Sequence, residues 1–424
     1  MNVAIIGAGY VGLVTGAGLA RLGHRVRLGE ANPDRVLALQ NGETPIFEVG
    51  LPDLLTETRA SGAITFHQSN LEAIEDADLI FLCLPTPEGA GGRADLSYIE
   101  EVVDELATKV AEGVVFVVKS TVPPGTVASL RKRLADRGSH GRVVSHPEFL
   151  REGRAVSDFL NPDRIVIGCF DRADADRVAA LYESLDTEVV VTDPTSSEMI
   201  KYASNSYLAA RLTFVNTLAN LCEALGADIL DVVHGMGLDK RIGPYFLQPG
   251  PGYGGSCFPK DTSALIGVAE DAGYDFKLLR AVIAADEEQR QRLVNKVRQA
   301  VGGDLSGKRV ALWGVAFKAG TDDTRESPAL RVADLIQREG ADVVAYDPEA
   351  TSVQVFMVGS PIEAARDADV VLVATEWPEF TTVDMFRVAA AMKGTRIVDA
   401  RNLLDPTVVR EAGLEYLGLG RPGA

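Results

Sequence analysis

The sequence predicts an α/β protein in which two doubly wound parallel sheets are joined by a long central helix and a helical region. Short β-rich runs alternate with helical patterns in the first half of the chain, a long helical pattern follows near residue 196, and the alternation returns after residue 303. Such alternation is typical of parallel sheets with helices on both faces. We therefore expect three domains, at residues 1–195, 196–302 and 303–424.

The first half of the chain contains six predicted strands, each a short run rich in aliphatic and β-branched residues. They are Asn2–Ile6, Arg25–Glu30, Leu79–Leu84, Val114–Lys119, Arg142–Ser145 and Arg164–Gly168, with helices such as Tyr10–Leu22 and Tyr98–Ala111 between them. After residue 303 the predicted elements are the strands Lys308–Trp313, Asp342–Tyr346, Val370–Ala374 and Arg396–Asp399 and the helix Pro328–Glu339.

The central helix is predicted from Ser196 to Gly226. Thr195 and Glu198 have the spacing of a capping box, and Gly226 is a suitable residue just beyond a helix C-terminus. This helix is too long to be a crossover between strands, so we expect it to join two domains. Further helices are predicted at Ser263–Ala272 and Leu278–Val301.

Composition excludes several classes of protein. The 424 residues carry a net charge of -18, which argues against a nucleic-acid or anionic-membrane partner. The N-terminus has no basic leader, and no apolar run is long enough to span a bilayer, so we expect a cytoplasmic protein. The four cysteines and five histidines lack the spacing of metal ligands or of a disulfide framework, so no metal is expected.

A dinucleotide-binding turn follows the first predicted strand. Gly7, Gly9 and Gly12 form the pattern GxGxxG directly before a helix. Gly7 permits a tight turn, Gly9 allows the backbone to approach a pyrophosphate, and Gly12 allows the helix to pack on the strand. Glu30 ends the second strand, where an acid accepts hydrogen bonds from the ribose and repels a 2′-phosphate. The pattern therefore predicts a Rossmann-like domain that binds NAD rather than NADP; a glycine-rich surface turn is the alternative.

The second α/β domain begins with a strand that contains a single glycine, Gly314, and lacks this pattern. A second dinucleotide site is therefore not expected there.

A glycine-rich loop, Gly250–Asp261, contains the most informative cysteine. Cys257 follows several glycines and precedes Lys260 and Asp261. A nearby cation lowers the pKa of a thiol and increases the fraction of reactive thiolate. Cys257 is therefore a candidate nucleophile, with a partly buried cysteine in a tight turn as the alternative. Cys83, Cys169 and Cys222 lie in or beside apolar strands or on a helix, and we expect them to be structural.

Motifs from residue 1 to about residue 405 resemble those of the UDP-glucose/GDP-mannose dehydrogenases. They are GAGYVGL at the N-terminus, Lys119–Thr126 (KSTVPPGT), Pro147–Gly153 (PEFLREG), Lys201-Tyr202-x-x-Asn205, Gly252–Asp261 (GYGGSCFPKD) and Phe317–Pro328 (FKAGTDDTRESP). Arg241–Leu247 (RIGPYFL) resembles the UDP-glucose branch in particular. The chain departs from the family's usual residues in having Glu30 in place of Asp and Gly250 after Pro249 in place of Ser.

The resemblance implies that a nucleotide-sugar C6 alcohol is oxidised to a carboxylate by two molecules of NAD⁺. The aldehyde formed first is trapped by Cys257 as a thiohemiacetal, and the thioester formed next is hydrolysed. The resemblance implies that Cys257 is the nucleophile, that Lys201 stabilises the oxyanion, and that Asp261 is the base or orders the water that acts as base. It also implies that Thr121 and Glu148 position water, with Glu148 serving hydrolysis of the thioester, and that Asn205 holds the substrate.

The resemblance also implies the binding residues. The nucleotide sugar is expected to contact Glu148, Phe149, Leu150, Arg151, Glu152, Lys201, Asn205, Tyr245, Phe246, Leu247, Gln248, Gly250, Gly254 and Lys318, and Arg241 of a neighbouring subunit. NAD is expected to contact Gly7, Gly9, Val11, Gly12, Glu30, Arg35, Thr86, Thr121, Glu152, Lys260 and Arg325. Independently of the family, Lys201 and Asn205 are four residues apart and therefore share one helix face. Such a face can belong to an active site, and the alternative is a helix face exposed to solvent.

A homodimer is expected because the central helix is apolar over most of its circumference and needs burial on more than one side. Its apolar residues are Met199, Ile200, Leu208, Leu212, Phe214, Val215, Leu218 and Leu221.

Alternative functions remain open at this point. GDP-mannose or TDP-glucose could replace UDP-glucose as the substrate. A single-step hydroxyacid dehydrogenase would not need the cysteine loop, and an NAD-sensing regulatory protein would not need Lys201, Cys257 and Asp261.

Overall fold

The computed structural model describes residues 1–422, which form two compact units. The first unit comprises Met1–Ser204 and Ser263–Tyr274, and the second comprises Asn205–Thr262 and the chain from Asp275 onwards. Residues of the predicted middle domain, 196–302, belong to both units. The division into three domains therefore stays a prediction.

The first unit is an eight-stranded sheet with helices packed on it. Its strands are β1 (Asn2–Ile6), β2 (Arg25–Gly29), β3 (Ile64–His67), β4 (Leu79–Leu82), β5 (Val115–Val118), β6 (Arg142–Ser145), β7 (Ile165–Gly168) and β8 (Val189–Thr192). Its helices are α1 (Tyr10–Arg21), α2 (Pro33–Asn41), α3 (Leu51–Ala60), α4 (Asn70–Ala73), α5 (Ser97–Leu106), α6 (Thr126–Asp136), α7 (Ala155–Leu160) and α8 (Arg172–Ala179).

The strand order of this sheet is β3-β2-β1-β4-β5-β6-β7-β8. The order reverses direction between β1 and β4, which is the switch point where doubly wound sheets bind ligands at the carboxyl ends of their strands. Side chains alternate between two buried faces: Val3 and Ile5 pack in one apolar cluster, and Ala4 and Ile6 pack in another. The predicted sheet with helices on both faces is confirmed.

Two strands and one strand direction differ from the sequence prediction. The sequence prediction missed β3, in which buried residues alternate with more exposed ones, and β8, an edge strand that is exposed to half-buried along its length. Strand β7 runs antiparallel to β6 and pairs with it only through Ser145 and Gly168. An antiparallel neighbour needs no crossover to the opposite edge of the sheet. Residues 146–164, which connect β6 to β7, therefore stay at the carboxyl edge.

The long central helix, α9 (Pro194–Leu225), has 32 residues and confirms the predicted length. Gly226 adopts the left-handed conformation, with φ of 76°, as predicted for a residue beyond the C-terminus. The predicted capping box is wrong. Asp193 accepts a hydrogen bond from the Ser196 N–H across 2.9 Å, and the Glu198 carboxylate accepts instead from the Gly125 and Val127 N–H groups at the start of α6.

The second unit contains an all-parallel six-stranded sheet in the order β11-β10-β9-β12-β13-β14. Its strands are β9 (Arg309–Trp313), β10 (Asp342–Tyr346), β11 (Phe356–Met357), β12 (Val370–Val373), β13 (Arg396–Asp399) and β14 (Glu415–Gly418). Its remaining helices are α10 (Ile229–Gly237), α12 (Lys277–Ala300), α13 (Pro328–Arg338), α14 (Pro361–Ala364), α15 (Met385–Ala391) and α16 (Pro406–Glu411). The second predicted doubly wound sheet is confirmed, and the sequence prediction missed the short strands β11 and β14.

Helix α11 (Phe258–Asp271) begins five residues before the predicted Ser263. The earlier start places Cys257 directly before the first turn of a helix. None of the helices described between residues 1 and 422 is long and apolar enough to cross a membrane.

Candidate active site

The dinucleotide turn of the first unit has the geometry that its glycines predict. Gly7 has φ of 100°, and a Cβ there would lie 2.6 Å from the Cys83 carbonyl oxygen. A Cβ on Gly12 would lie 1.8 Å from the carbonyl oxygen of Gly7, so only glycine allows α1 to pack on β1. A Cβ on Gly9 would meet nothing within 4 Å. This open side at the N-terminus of α1 is the space that a pyrophosphate needs, so the turn fits a dinucleotide.

Glu30 lies directly after β2 and faces the same turn. Its Oε2 accepts from the Ala8 N–H across 3.0 Å, and its Oε1 accepts from the Asn32 N–H across 2.8 Å. Arg35 Nη1 lies 3.7 Å from Oε2. A carboxylate has about four acceptor positions, so Glu30 keeps capacity for ribose hydroxyls.

Four further predicted NAD contacts, Val11, Thr86, Thr121 and Glu152, also lie in this unit. Val11 is in the first turn of α1, and the Thr86 hydroxyl donates to the Thr121 carbonyl oxygen across 3.0 Å.

A buried ion pair joins two of the predicted catalytic residues. Lys201 Nζ lies 2.8 Å from Glu148 Oε1, and the two side chains are 4% and 7% exposed. Glu148 Oε2 also accepts from the Leu150 N–H across 2.6 Å. Burial alone would raise the pKa of Glu148, but the charge and hydrogen bond of Lys201, together with the Leu150 N–H, lower it below its ordinary value. Glu148 is therefore held as a carboxylate.

Behind this pair lies a buried histidine that the sequence analysis missed. His146 Nδ1 lies 2.8 Å from the Val166 carbonyl oxygen, which can only accept, so Nδ1 carries the hydrogen. His146 Nε2 is then the acceptor for the Tyr182 hydroxyl at 2.8 Å and for Lys119 Nζ at 3.2 Å. Burial, followed by the charge of Lys119, lowers the pKa of His146 far below its ordinary value, so the ring is neutral.

Lys119 was part of a motif but received no role from the sequence. Its side chain is buried, and burial lowers its pKa to about 8, against the opposing effect of the Glu148 carboxylate. Lys119 and His146 each follow an apolar strand, β5 and β6 respectively. A polar residue directly after a buried strand, at the carboxyl edge of the sheet, was the signal that could have identified both.

The predicted substrate segment Phe149–Glu152 follows Glu148 in the same unit. The Arg164 guanidinium stacks 3.7 Å from the centre of the Phe149 ring, and Lys201 Nζ lies 5.4 Å from the same centre. Arg151 forms a two-point ion pair with Asp158, at 2.9 and 2.6 Å. Phe149, Leu150 and Arg151 line an open cavity together with Lys119, His146 and Glu148.

Cys257 is the N-cap residue of α11 in the second unit. Its carbonyl oxygen accepts from the Asp261 N–H across 2.8 Å, the first hydrogen bond of the helix. The free N–H groups and positive dipole end of a helix N-terminus stabilise an adjacent thiolate. The half-buried thiol also lies 3.6 Å from the Ser256 hydroxyl. Cys83 and Cys222 are buried, and Cys169 is half-buried beside β7.

Two polar side chains meet the carboxylate of Asp261, one helical turn after Cys257. Lys260 Nζ lies 2.6 Å from Asp261 Oδ1, and Asn205 Nδ2 donates to Asp261 Oδ2 across 2.6 Å. Lys260 therefore pairs with a carboxylate that is 1% exposed, and its effect on the thiol stays a prediction. The helix N-terminus is the favourable environment that the sequence analysis missed.

The glycines of the cysteine loop are required by close packing. A Cβ on Gly254 would lie 2.3 Å from the Glu326 carbonyl oxygen. The Gly255 N–H donates to the Arg325 carbonyl oxygen across 3.1 Å, which ties the loop to the segment before α13. Asp286 accepts from the N–H of Tyr253 across 3.0 Å, and burial raises the pKa of Asp286 to about 6.

The other predicted residues of the second unit differ in exposure. Arg241 is 88% exposed along its side chain and pairs with Asp239, and Tyr245 is 78% exposed. Phe246 has φ of 57°, an unusual conformation for a bulky residue. Arg325 and Gln248 are exposed, Lys318 is half-buried, and Leu247 and Gly250 are buried.

Comparison with known families gives the same assignment in all parts of the chain. Residues 1–186 match the NAD binding domain of the UDP-glucose/GDP-mannose dehydrogenase family, residues 195–288 match its central domain, and residues 311–406 match its UDP binding domain. The chain belongs to the UDP-glucose/GDP-mannose dehydrogenase family. It is an NAD-dependent dehydrogenase, and its resemblance to this family and its expected cofactor are confirmed.

Several relatives match over nearly the whole of both chains. A UDP-glucose 6-dehydrogenase of Rhizobium meliloti is 41% identical, and the match covers 100% of this chain and 100% of the relative. UDP-glucose 6-dehydrogenase TuaD of Bacillus subtilis is 40% identical over 99% of this chain and 93% of the relative. Among solved structures, a UDP-glucose dehydrogenase of Pyrobaculum islandicum has a TM-score of 0.92 and 36% identity, covering 99% of this chain and 98% of that one.

Proposed function

We propose that this dehydrogenase oxidises the C6 primary alcohol of UDP-glucose to a carboxylate, giving UDP-glucuronate, with Cys257 as the covalent nucleophile. The observation that carries the proposal is the position of Cys257 at the start of α11, one helical turn before the buried Asp261. The names of the relatives support the substrate, since three with 40% or 41% identity are UDP-glucose 6-dehydrogenases.

In the first oxidation, we assign the alcohol proton to Asp261 or to a water that it orders. Asn205 and Lys260 hold the carboxylate of Asp261 in one orientation, which a base needs for proton transfer. NAD⁺, when bound, supplies the hydride acceptor for both oxidations, and the glycine turn and Glu30 are the residues that would hold it. The product of this step is the C6 aldehyde.

In the second oxidation, the Cys257 thiolate attacks the aldehyde carbon and forms a C–S bond. The Lys201 ammonium stabilises the oxyanion that develops on the former carbonyl oxygen. Loss of the second hydride from C6 converts this adduct to a thioester. Water, positioned with the help of Thr121, then gives one proton to Glu148 and attacks the thioester carbon. The C–S bond breaks, Cys257 leaves as the thiolate, and the acid product releases its proton to become the carboxylate.

We also propose a homodimer formed through α9. Tyr207, Phe214 and Leu221 recur at seven-residue intervals on this helix and are 64%, 55% and 51% exposed. An apolar stripe with this spacing is typical of a helix that packs against a second helix. In such a dimer, the exposed Arg241 is the residue that we expect to reach the substrate of the neighbouring subunit. The cytoplasm stays the expected compartment.

NADH production with a panel of nucleotide sugars tests the proposal. We expect UDP-glucose to give the highest kcat/KM and two NADH per UDP-glucuronate. Preference for GDP-mannose, TDP-glucose or an N-acetylated UDP-sugar would correct the substrate while keeping the chemistry. One NADH per sugar with the aldehyde as final product would contradict the double oxidation.

A further inference from the structure

A buried carboxylate outside the predicted site connects two of its segments. Glu48 lies between α2 and α3 and is 3% exposed. Its Oε2 accepts from the Gly153 N–H across 2.6 Å and from the Tyr10 hydroxyl, and its Oε1 accepts from the Ala155 N–H across 2.8 Å. All of these residues belong to the first unit.

The donors to Glu48 lie beside the predicted cofactor turn and directly after the predicted substrate segment. Tyr10 is the first residue of α1 and follows Gly9 of the dinucleotide turn. Gly153 directly follows the predicted substrate segment Phe149–Glu152, and the Tyr10 hydroxyl also lies 3.4 Å from the Arg151 carbonyl oxygen. One carboxylate therefore joins the Tyr10 side chain, next to the predicted pyrophosphate turn, to the backbone that directly follows the predicted substrate segment.

The chemistry of the contact makes the connection stiff. A buried carboxylate is costly unless several donors satisfy it, so the three donors are held together by their common acceptor. Burial, and then the hydrogen bond to Glu48, raise the pKa of the Tyr10 phenol above its ordinary value. The Tyr10 hydroxyl therefore keeps its proton and donates it to Glu48.

We propose that Tyr10 and Glu48 form a latch through which NAD and the nucleotide sugar strengthen each other's binding. A ligand that orders one segment reduces the conformational entropy that the other ligand must overcome. By linkage, each ligand must then raise the affinity for the other by the same factor. The identity of the second ligand rests on the proposed function, whereas the connection itself rests on the hydrogen bonds of Glu48. Tyr10 and Glu48 act as positioning residues.

Tyr10→Phe is the sharpest test because it keeps the ring and removes only the hydroxyl. NADH affinity is measured by fluorescence titration with and without saturating UDP-glucose, which avoids turnover. Couplings of this kind typically amount to about fivefold or more, so we expect at least this enhancement in the wild-type protein. We expect it to fall below about twofold in Tyr10→Phe and in Glu48→Gln, while kcat changes much less than the two KM values.

Tyr98→Phe is the matched control, since Tyr98 is an exposed tyrosine of the same unit. Thermal denaturation of all variants identifies any loss of folding. If Glu48→Gln does not fold, the NADH titration of Tyr10→Phe alone tests the proposal. An unchanged enhancement in a folded Tyr10→Phe protein that still reduces NAD⁺ with UDP-glucose overturns the latch alone. If only another nucleotide sugar supports NADH formation, the substrate proposal fails, and the same titration with that sugar still decides the latch.

Discussion

The Lys201 ammonium donates a hydrogen bond to Glu148 Oε1 across 2.8 Å, and the two side chains are 4% and 7% exposed. Removing one member of a buried ion pair leaves an unpaired buried charge, at a cost of roughly 3–5 kcal/mol. We expect Lys201→Met to lose about 3 kcal/mol of unfolding free energy in urea denaturation, and to lower kcat about 100-fold if Lys201 stabilises an oxyanion.

Glu148→Gln combined with Lys201→Met should be less destabilised than the sum of the single variants, because neither charge is then left alone. Arg172→Met is the control, since it breaks an ion pair with Asp176 whose side chains are 71% and 59% exposed. That pair should contribute less than about 1 kcal/mol. A stable Lys201→Met protein would contradict the dependence of Glu148 on its partner.

Cys257→Ser should separate the two oxidations. The first needs a base and the cofactor, whereas oxidation of the aldehyde needs a thiolate, and serine is far harder to ionise. We expect aldehyde oxidation to fall by several orders of magnitude, with an aldehyde or a slowly hydrolysed ester detected by mass spectrometry while NADH is followed. Cys169→Ser, at a half-buried cysteine beside β7, is the control. Unimpaired conversion to the sugar acid by Cys257→Ser would make Cys257 a structural residue.

Cofactor preference should depend on Glu30. In the wild-type protein we expect kcat/KM to be much higher with NAD⁺ than with NADP⁺, because the carboxylate repels a 2′-phosphate. Glu30→Ser should reduce the preference for NAD⁺ because it removes this repulsion. It also frees Arg35, whose Nη1 lies 3.7 Å from Glu30 Oε2, to bind the 2′-phosphate. Glu43→Ser, at an exposed acid of the same unit, should leave the preference unchanged. Equal use of both cofactors by the wild-type protein would disprove the role of Glu30.

Stability should fall with rising pH because of Glu198. Burial raises its pKa to about 7, although the Val127 and Gly125 N–H groups oppose this effect. Between its ordinary pKa and 7, the folded protein binds the proton more tightly than the unfolded chain, so the unfolding free energy decreases as pH rises. Between pH 5 and 8, we expect the unfolding free energy of the wild-type protein to decrease by up to about 3 kcal/mol relative to that of Glu198→Gln. Parallel stability curves for the two proteins would exclude the effect.

Assembly should depend on the apolar stripe of α9. Light scattering should give about twice the chain mass of 45.2 kDa for the wild-type protein and a monomer for Phe214→Asp. Phe386→Asp, at a 62% exposed phenylalanine on α15, should not change the mass. A wild-type monomer would refute the dimer and with it the role of Arg241 in a neighbouring subunit.

Much of the fold was predictable because it depends on neighbours in the sequence. The alternation of apolar runs predicted most strands, and the spacing of Gly7, Gly9 and Gly12 predicted a turn whose geometry excludes a Cβ at two of the three. The short strands β3 and β14 were missed because buried residues alternate with more exposed ones in both, so neither has a continuous apolar run. The capping box failed because Asp193 and Thr195 compete for one helix start, and only the observed backbone shows which residue caps it.

By itself, the sequence determined the two doubly wound sheets, the long helix, the dinucleotide turn and the candidate nucleophile. Each of these features depends on residue types and spacings within a short segment of the chain. Only the tertiary structure decided which charges meet: Lys201 pairs with Glu148 over 53 residues, and Glu48 accepts from Ala155 over 107. It also showed that Lys260 pairs with Asp261 and that a helix begins after Cys257. The physical reason is that a buried charge must find donors or a counter-charge, and packing of distant segments selects them.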